Sequence, residues 1–186
     1  MFYSNVMYQI AAALILLIII INYIKMPKLP ILSTKFFSCM LIFTGVYLIA
    51  DISTVYTITH MDIVPMWINR LCHQIFIGTL ITVIVCFFLY VLLLGRQQKR
   101  LNGLYWVGVL TPYGVAILTV ILGKLEYFND GIRVYSYGIM ANMVYVVVCV
   151  YIVASNIVIV KHKENYKPEV KNAVHTGSII WVVAAI

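Results

Sequence analysis

Long apolar runs alternate with short polar stretches along the whole chain, as in AALILLIIII at 12–21 and LITVIVCFFLYVLLL at 80–94. A helical membrane span needs roughly 20 apolar residues, and backbone facing lipid must be helical or part of a closed barrel. Barrel strands run for about 10 residues and alternate apolar with polar positions. The runs here do not alternate, so the pattern predicts helices. Five complete spans are expected, at about 6–24, 36–56, 71–94, 104–122 and 138–160. A sixth run opens near Val174 and is still apolar at Ile186. At about 1.5 Å per residue that last stretch cannot cross a bilayer. It is expected to belong to a longer helix of a protein that continues, or to form a short re-entrant helix. The expected fold class is an all-α polytopic transmembrane bundle of five spans and a truncated sixth, 1–186 forming one membrane domain.

Composition narrows the class further. The chain is 63% hydrophobic and only 10% charged, with a mean hydropathy of +1.00. A soluble chain of that make-up would expose apolar patches that soluble proteins avoid. The loops have no room for a catalytic domain. There is no Walker A sequence, no GxGxxG opening a helix and no His-Glu-x-x-His, so this chain reads as non-enzymatic, with no cofactor and no metal.

Charge placement adds orientation. Lys25, Lys28 and Lys35 follow the first span, Arg96, Lys99 and Arg100 the third, and Lys161, Lys163, Lys167 and Lys171 the fifth. Those loops hold ten of the 13 basic residues, while the opposite side has Arg70, Lys124 and Arg133. Basic loops stay cytoplasmic, which puts the N-terminus outside. The net charge of +7 then faces anionic headgroups and calls for no nucleic acid. The first span lacks a basic residue before its apolar run and a small-residue cleavage site, so it reads as a retained helix. Cys39, Cys72, Cys86 and Cys149 form no motif pair and read as small core residues.

A few polar residues interrupt the apolar pattern. Asp51, in YLIADISTVYTITH, falls in the outer half of the membrane, where a lone carboxylate is costly. It reads either as part of a site or relay, or as a helix contact or headgroup-level residue. Arg70 and His73 stand three apart at the outer start of the third span. Pairing Asp51 with either would offset desolvation, whereas snorkelling to the headgroups would account for Arg70 alone. Between spans four and five, LEYFNDGIRVYSYG carries an Asn129-Asp130-Gly131 turn signal. A short outer hairpin is expected there, with Tyr127, Asp130 and Tyr135 as outer-loop contacts, its aromatic residues either at the mouth of the bundle or anchored at the interface. Asn142, Ser155 and Asn156 read as interhelical contacts, and Pro112 with Gly114 as a kink in span four.

MPKLPI at 26–31, DISTVYTITH at 51–60, VPMWINRL at 64–71 and YFNDGIRVYSYG at 127–138 together resemble a bacterial family. They look like the N-terminal membrane sensor region of Clostridia-type diguanylate cyclases and related membrane receptors. The resemblance implies a seven-helix-like sensory bundle that couples an unknown small outer ligand or membrane signal to a cytoplasmic output domain. It implies a homodimer through that domain, which in the cyclases carries a GGDEF sequence and makes cyclic di-GMP from two GTP. No GGDEF sequence occurs in this chain, so no catalytic residue carries over. Topology makes the same demand, because an outside N-terminus and an odd number of spans deliver an output domain to the cytoplasm beyond residue 186. The alternative is a small-solute transporter or channel subunit, which needs a polar path at mid-membrane.

Overall fold

The computed structural model describes residues 2–27, 31–97, 102–129 and 134–184. Six α-helices and one hairpin account for most of them: α1 (Phe2–Lys25), α2 (Leu32–Thr59), α3 (Met66–Gly95), α4 (Gly103–Leu122), strands β1 (Glu126–Asn129) and β2 (Val134–Tyr137), α5 (Ile139–Lys161) and α6 (Pro168–Ala184). A single 3₁₀ turn, Lys163–Asn165, separates α5 from α6. The first five helices are each long and apolar enough to cross a bilayer, the build of a multi-pass membrane protein.

The helices outrun the apolar stretches that locate them. α3, with 30 residues, is about 45 Å long, and a bilayer core is about 30 Å thick. Set along the normal, it overhangs the core by about 7 Å at each end, where polar side chains meet headgroups and water. α6 likewise starts at Pro168, ahead of the apolar run. Proline suits a first helical position, and Glu169 in the first turn complements the helix dipole.

Successive helices alternate in direction, which gives the bundle two distinct ends. One holds the hairpin. The other holds the loops rich in lysine and arginine. Aromatic pairs tie the basic end together: Tyr23 to Phe37 at 5.1 Å, Phe37 to Tyr90 at 5.5 Å and Phe36 to Trp106 at 6.3 Å between ring centroids. Near mid-depth, Tyr47 of α2 stacks on Phe76 of α3 at 5.3 Å.

α3 is the axis of the bundle. It packs against α2, α4 and α5 and against the 3₁₀ turn. Ile77, Ile81, Ile84, Val85, Phe88 and Leu92 form its buried middle. A helix that is apolar all round is expected at such a place. α1 is apolar too, yet Leu14, Ile15, Leu17 and Ile18 are exposed, the surface a lipid-facing helix presents.

Hydroxyls along the spans mostly donate back to their own helix. Thr44, Thr82 and Ser155 bond to carbonyls four residues earlier at 2.7 Å. Around Pro112, which has no N–H for the Gly108 carbonyl, Thr111 donates to the Val107 carbonyl and Tyr151 of α5 to the Val109 carbonyl, both at 2.7 Å. These hydroxyls bond the carbonyls on either side of the Gly108 carbonyl, and α4 runs through its proline. The four cysteines are free.

Candidate functional site

At the hairpin end, the first turns of α3 present Asn69, Arg70, His73 and Gln74 in sequence. Their spacing pairs Asn69 with His73 and Arg70 with Gln74 along two rows of the helix. The Arg70–Gln74 row serves α4. Arg70 donates to the Gly123 carbonyl at 3.0 Å, and the Gln74 amide to the carbonyls of Val120 and Ile121 at 3.1 Å each. The last carbonyls of a helix have no partner of their own, and α3 supplies them here.

The Asn69–His73 row faces α2 and the hairpin. Asn69 is fully buried and His73 nearly so. His73 Nδ1 donates to the Asn69 carbonyl at 3.0 Å. A carbonyl only accepts, so a neutral ring carries its proton on Nδ1 and leaves Nε2 as an acceptor. Thr57 of α2 donates to Asn69 Oδ1 at 2.9 Å, with the Thr54 carbonyl at 3.2 Å from the same hydroxyl. Tyr127 of β1 meets the His73 ring edge-on at 5.4 Å.

Two atoms in this cluster are buried with no partner: Asn69 Nδ2 and the Tyr127 hydroxyl. An unsatisfied buried polar group costs about 1–3 kcal/mol, and each such group in a native fold calls for a reason. Both can donate a hydrogen bond. Burial pushes the Tyr127 phenol above its usual range, with the nearby Arg70 charge pulling it down and Cys72 adding to the rise. At neutral pH the phenol therefore keeps its proton.

The hairpin sorts its aromatic residues by face. Strands β1 and β2 pair antiparallel, with Tyr127 opposite Ser136 and Phe128 opposite Tyr135. Neighbouring residues of a strand point to opposite faces. Tyr127 turns to the bundle, whereas Tyr135 stacks on Phe128 at 5.0 Å and stays exposed. Asp130, with its turn signal, lies outside the described residues. Gly138 leads from β2 into α5 at φ 121°, a conformation that only glycine adopts without strain.

Asp51 sits elsewhere. Its carboxylate takes a hydrogen bond from Gln9 of α1, and the other amide atom, Gln9 Oε1, is buried without a partner. Thr54, one turn on, donates to the Asp51 backbone carbonyl at 2.7 Å, not to its side chain. Among the described residues no ion pair joins Asp51 to Arg70 or His73. The structure therefore brings Arg70, His73 and Tyr127 together and sets Asp51 against α1. Asn69, Thr57, Gln74 and Gln9 are partners that charge alone does not flag. The signal for Asn69 and Gln74 is their four-residue spacing from His73 and Arg70 within an otherwise apolar helix.

At the basic end, the segment after α5 docks on the last turn of α3. Asn165 donates to the Gly95 carbonyl at 2.6 Å, and the Gln97 amide to Asn165 Oδ1 at 2.9 Å. The buried Tyr166 donates to the Val91 carbonyl at 2.7 Å. Asn156 of α5 then holds α6, donating to Ser178 at 2.9 Å and accepting from His175 Nδ1 at 2.9 Å.

No protein-family model, curated protein or solved structure matches the chain.

Proposed function

We propose that this chain is a membrane-embedded sensory module, with the hairpin end outside the cell and the basic end in the cytoplasm. A small polar ligand or a membrane signal acts at the Asn69–His73–Tyr127 cluster, and α3 carries the response to the segment that leads into α6. The output domain lies beyond residue 186, reached through a further helix in a seven-helix-like arrangement. The resemblance to cyclase sensor regions makes that output a diguanylate cyclase acting as a dimer.

One observation carries the reading. The same helix bears an under-satisfied polar cluster at one end and holds the α5–α6 segment through its carbonyls at the other. A ligand shifts an equilibrium only through contacts that differ between two states, and donors without partners are contacts still to be made. An apolar cavity of about 140 Å³ beside the middle of α3, lined by Met40, Ile84, Phe87 and Val148 among others, leaves room for a small shift. A transport path is disfavoured by the apolar side chains that fill α3 between its two polar ends.

The test is hydrogen exchange on the protein in lipid nanodiscs. Asn69→Leu, which alters only the hairpin end, is expected to change amide protection over 163–168 several-fold. A change confined to the residues around 66–74, with 163–168 unaffected, would remove the coupling on which the sensory reading depends.

A further inference from the structure

A second feature lies at the basic end and is independent of the sensory reading. The end of α3 and the start of α4 enclose an open groove of about 400 Å³, lined by Arg96, Asn102, Leu104, Tyr105, Gly108 and Val109. The Arg96 guanidinium lies over the Tyr105 ring, 5.0 Å from its centroid. Among the described residues no carboxylate pairs with it, so its charge is positioned by the ring and left unneutralised. A guanidinium held over an aromatic face by cation–π attraction still has N–H donors to offer a phosphate.

Apart from Asn102 and the Tyr105 hydroxyl, the rest of the groove is apolar and open. Leu104 is 86% exposed, which is unfavourable in water and ordinary beside acyl chains. A side chain built on Gly108 would meet nothing within 4 Å, so the wall is low there. Leu104 and Gly108 lie one turn apart, as do Tyr105 and Val109, so the apolar floor runs along α4 towards mid-membrane. Trp106 and Tyr105 mark the interface level at which such aromatic residues settle.

We infer that this groove is a binding site for an anionic phospholipid, the phosphate on Arg96 and an acyl chain along Leu104, Gly108 and Val109. A zwitterionic lipid offers the same chain but cancels the headgroup charge, so charge complementarity selects the anionic class.

Trp106 follows the groove residue Tyr105 in α4, its own ring packing on Phe36, and serves as the nearby reporter. With Trp67→Phe and Trp181→Phe as background, the full chain is placed in phosphatidylcholine nanodiscs. These carry dibrominated phosphatidylglycerol or, at the same mole fraction, dibrominated phosphatidylcholine. Bromine quenches tryptophan on contact. A preference of about fivefold for the anionic lipid is expected, the usual worth of one well-placed basic residue at a charged surface. Arg96→Gln should abolish the excess quenching, and Lys163→Gln, outside the groove, should retain it. Gly108→Leu fills the groove without changing charge and should also abolish the excess. Equal quenching by the two lipids in the parent protein would overturn the site. So would an excess that survives both Arg96→Gln and Gly108→Leu, or one lost equally in Lys163→Gln, which would mark diffuse attraction to the basic end.

Discussion

At the basic end of α3, Asn165 and Tyr166 take up the Gly95 and Val91 carbonyls at 2.6 and 2.7 Å. At the hairpin end of the same helix, Asn69 Nδ2 and the Tyr127 hydroxyl are buried with nothing to bond. Both ends bring polar groups out of water. Only one completes their hydrogen bonds. A satisfied network holds one geometry, whereas a partly satisfied one costs free energy until another group arrives. The difference separates a joint whose hydrogen bonds are complete from a cluster with two donors unmet, and each prediction below works on one side of it.

The largest effect concerns the placing of the two ends on opposite sides of a membrane. With the four native cysteines replaced, a cysteine at Asp62 and another at Glu164, both exposed, are treated with a membrane-impermeant thiol reagent on intact cells. Full labelling at 62 and none at 164 before lysis is expected. Labelling of both from one side would dissolve the contrast between an outer cluster and an inner joint.

How much of this was legible without coordinates differs between the ends. The apolar runs locate the helices because hydrocarbon admits only helices and closed barrels, and unbroken runs of this length do not alternate as barrel strands do. They cut the helices short where a polar turn still belongs to the helix, as at Pro168–Lys171, ahead of the apolar run at Val174. There the start signals are Pro168 and Glu169. Arg70 and His73 are visible as ionisable side chains in an apolar context. Asn69 is not, because a neutral amide among apolar residues is ordinary in a span. Partner choice was the least legible. Counting from the Thr57–Asn69 contact and the Tyr47–Phe76 stack puts Asp51 level with the first turns of α3, at about the depth of His73. Depth alone makes them a pair. Rotation about the helix axis, about 100° per residue, turns Asp51 to Gln9 on α1 and His73 to the hairpin, and a single sequence does not reveal which neighbour each face meets. The docking of Tyr166 is hidden for a related reason, since its partners are backbone carbonyls that any sequence supplies.

Damage to the joint comes next in size. A methyl group added at Gly95 would run into the Tyr166 ring, which is buried and hydrogen-bonded. Gly95→Ala is expected to cost about 1–3 kcal/mol, the range for overpacking. Tyr166→Phe keeps the ring and loses one hydrogen bond, for about 1 kcal/mol. Thermal unfolding in mild detergent ranks the two. Alkaline pH gives a separate test. Burial pushes the Tyr166 phenol up from 10.0 to about 12, with the Gly95 backbone N–H, directed at the phenol oxygen, acting the other way. The folded chain thus holds this proton more tightly than the unfolded chain. That contribution to stability is fully present below pH 10 and fades as pH rises from there through about 12. Tyr166→Phe should remove that part of the alkaline slope. An unchanged slope would place the phenol in water and undo the contrast from the basic end.

The smallest effect is the most telling about the other end. Asn69→Leu removes the bond from Thr57, whose hydroxyl keeps the Thr54 carbonyl at 3.2 Å. A side-chain bond between membrane helices averages about 0.6 kcal/mol. The same substitution removes an amide nitrogen that is buried without a partner, relieving a cost of about 1–3 kcal/mol. The two changes oppose each other, and the larger volume of leucine, on the same number of side-chain heavy atoms, adds a packing cost at this fully buried site that offsets part of the relief. Stability measured by detergent unfolding should therefore move by no more than about 1 kcal/mol. That figure also underwrites the hydrogen-exchange test, since altered protection at 163–168 in so stable a variant would report transmission along α3 and not general loosening. A loss above about 2 kcal/mol would mean that the amide is already satisfied in the folded protein. The hairpin end would then be a completed joint like the basic end, and the cluster would have no unmade contact to offer a ligand.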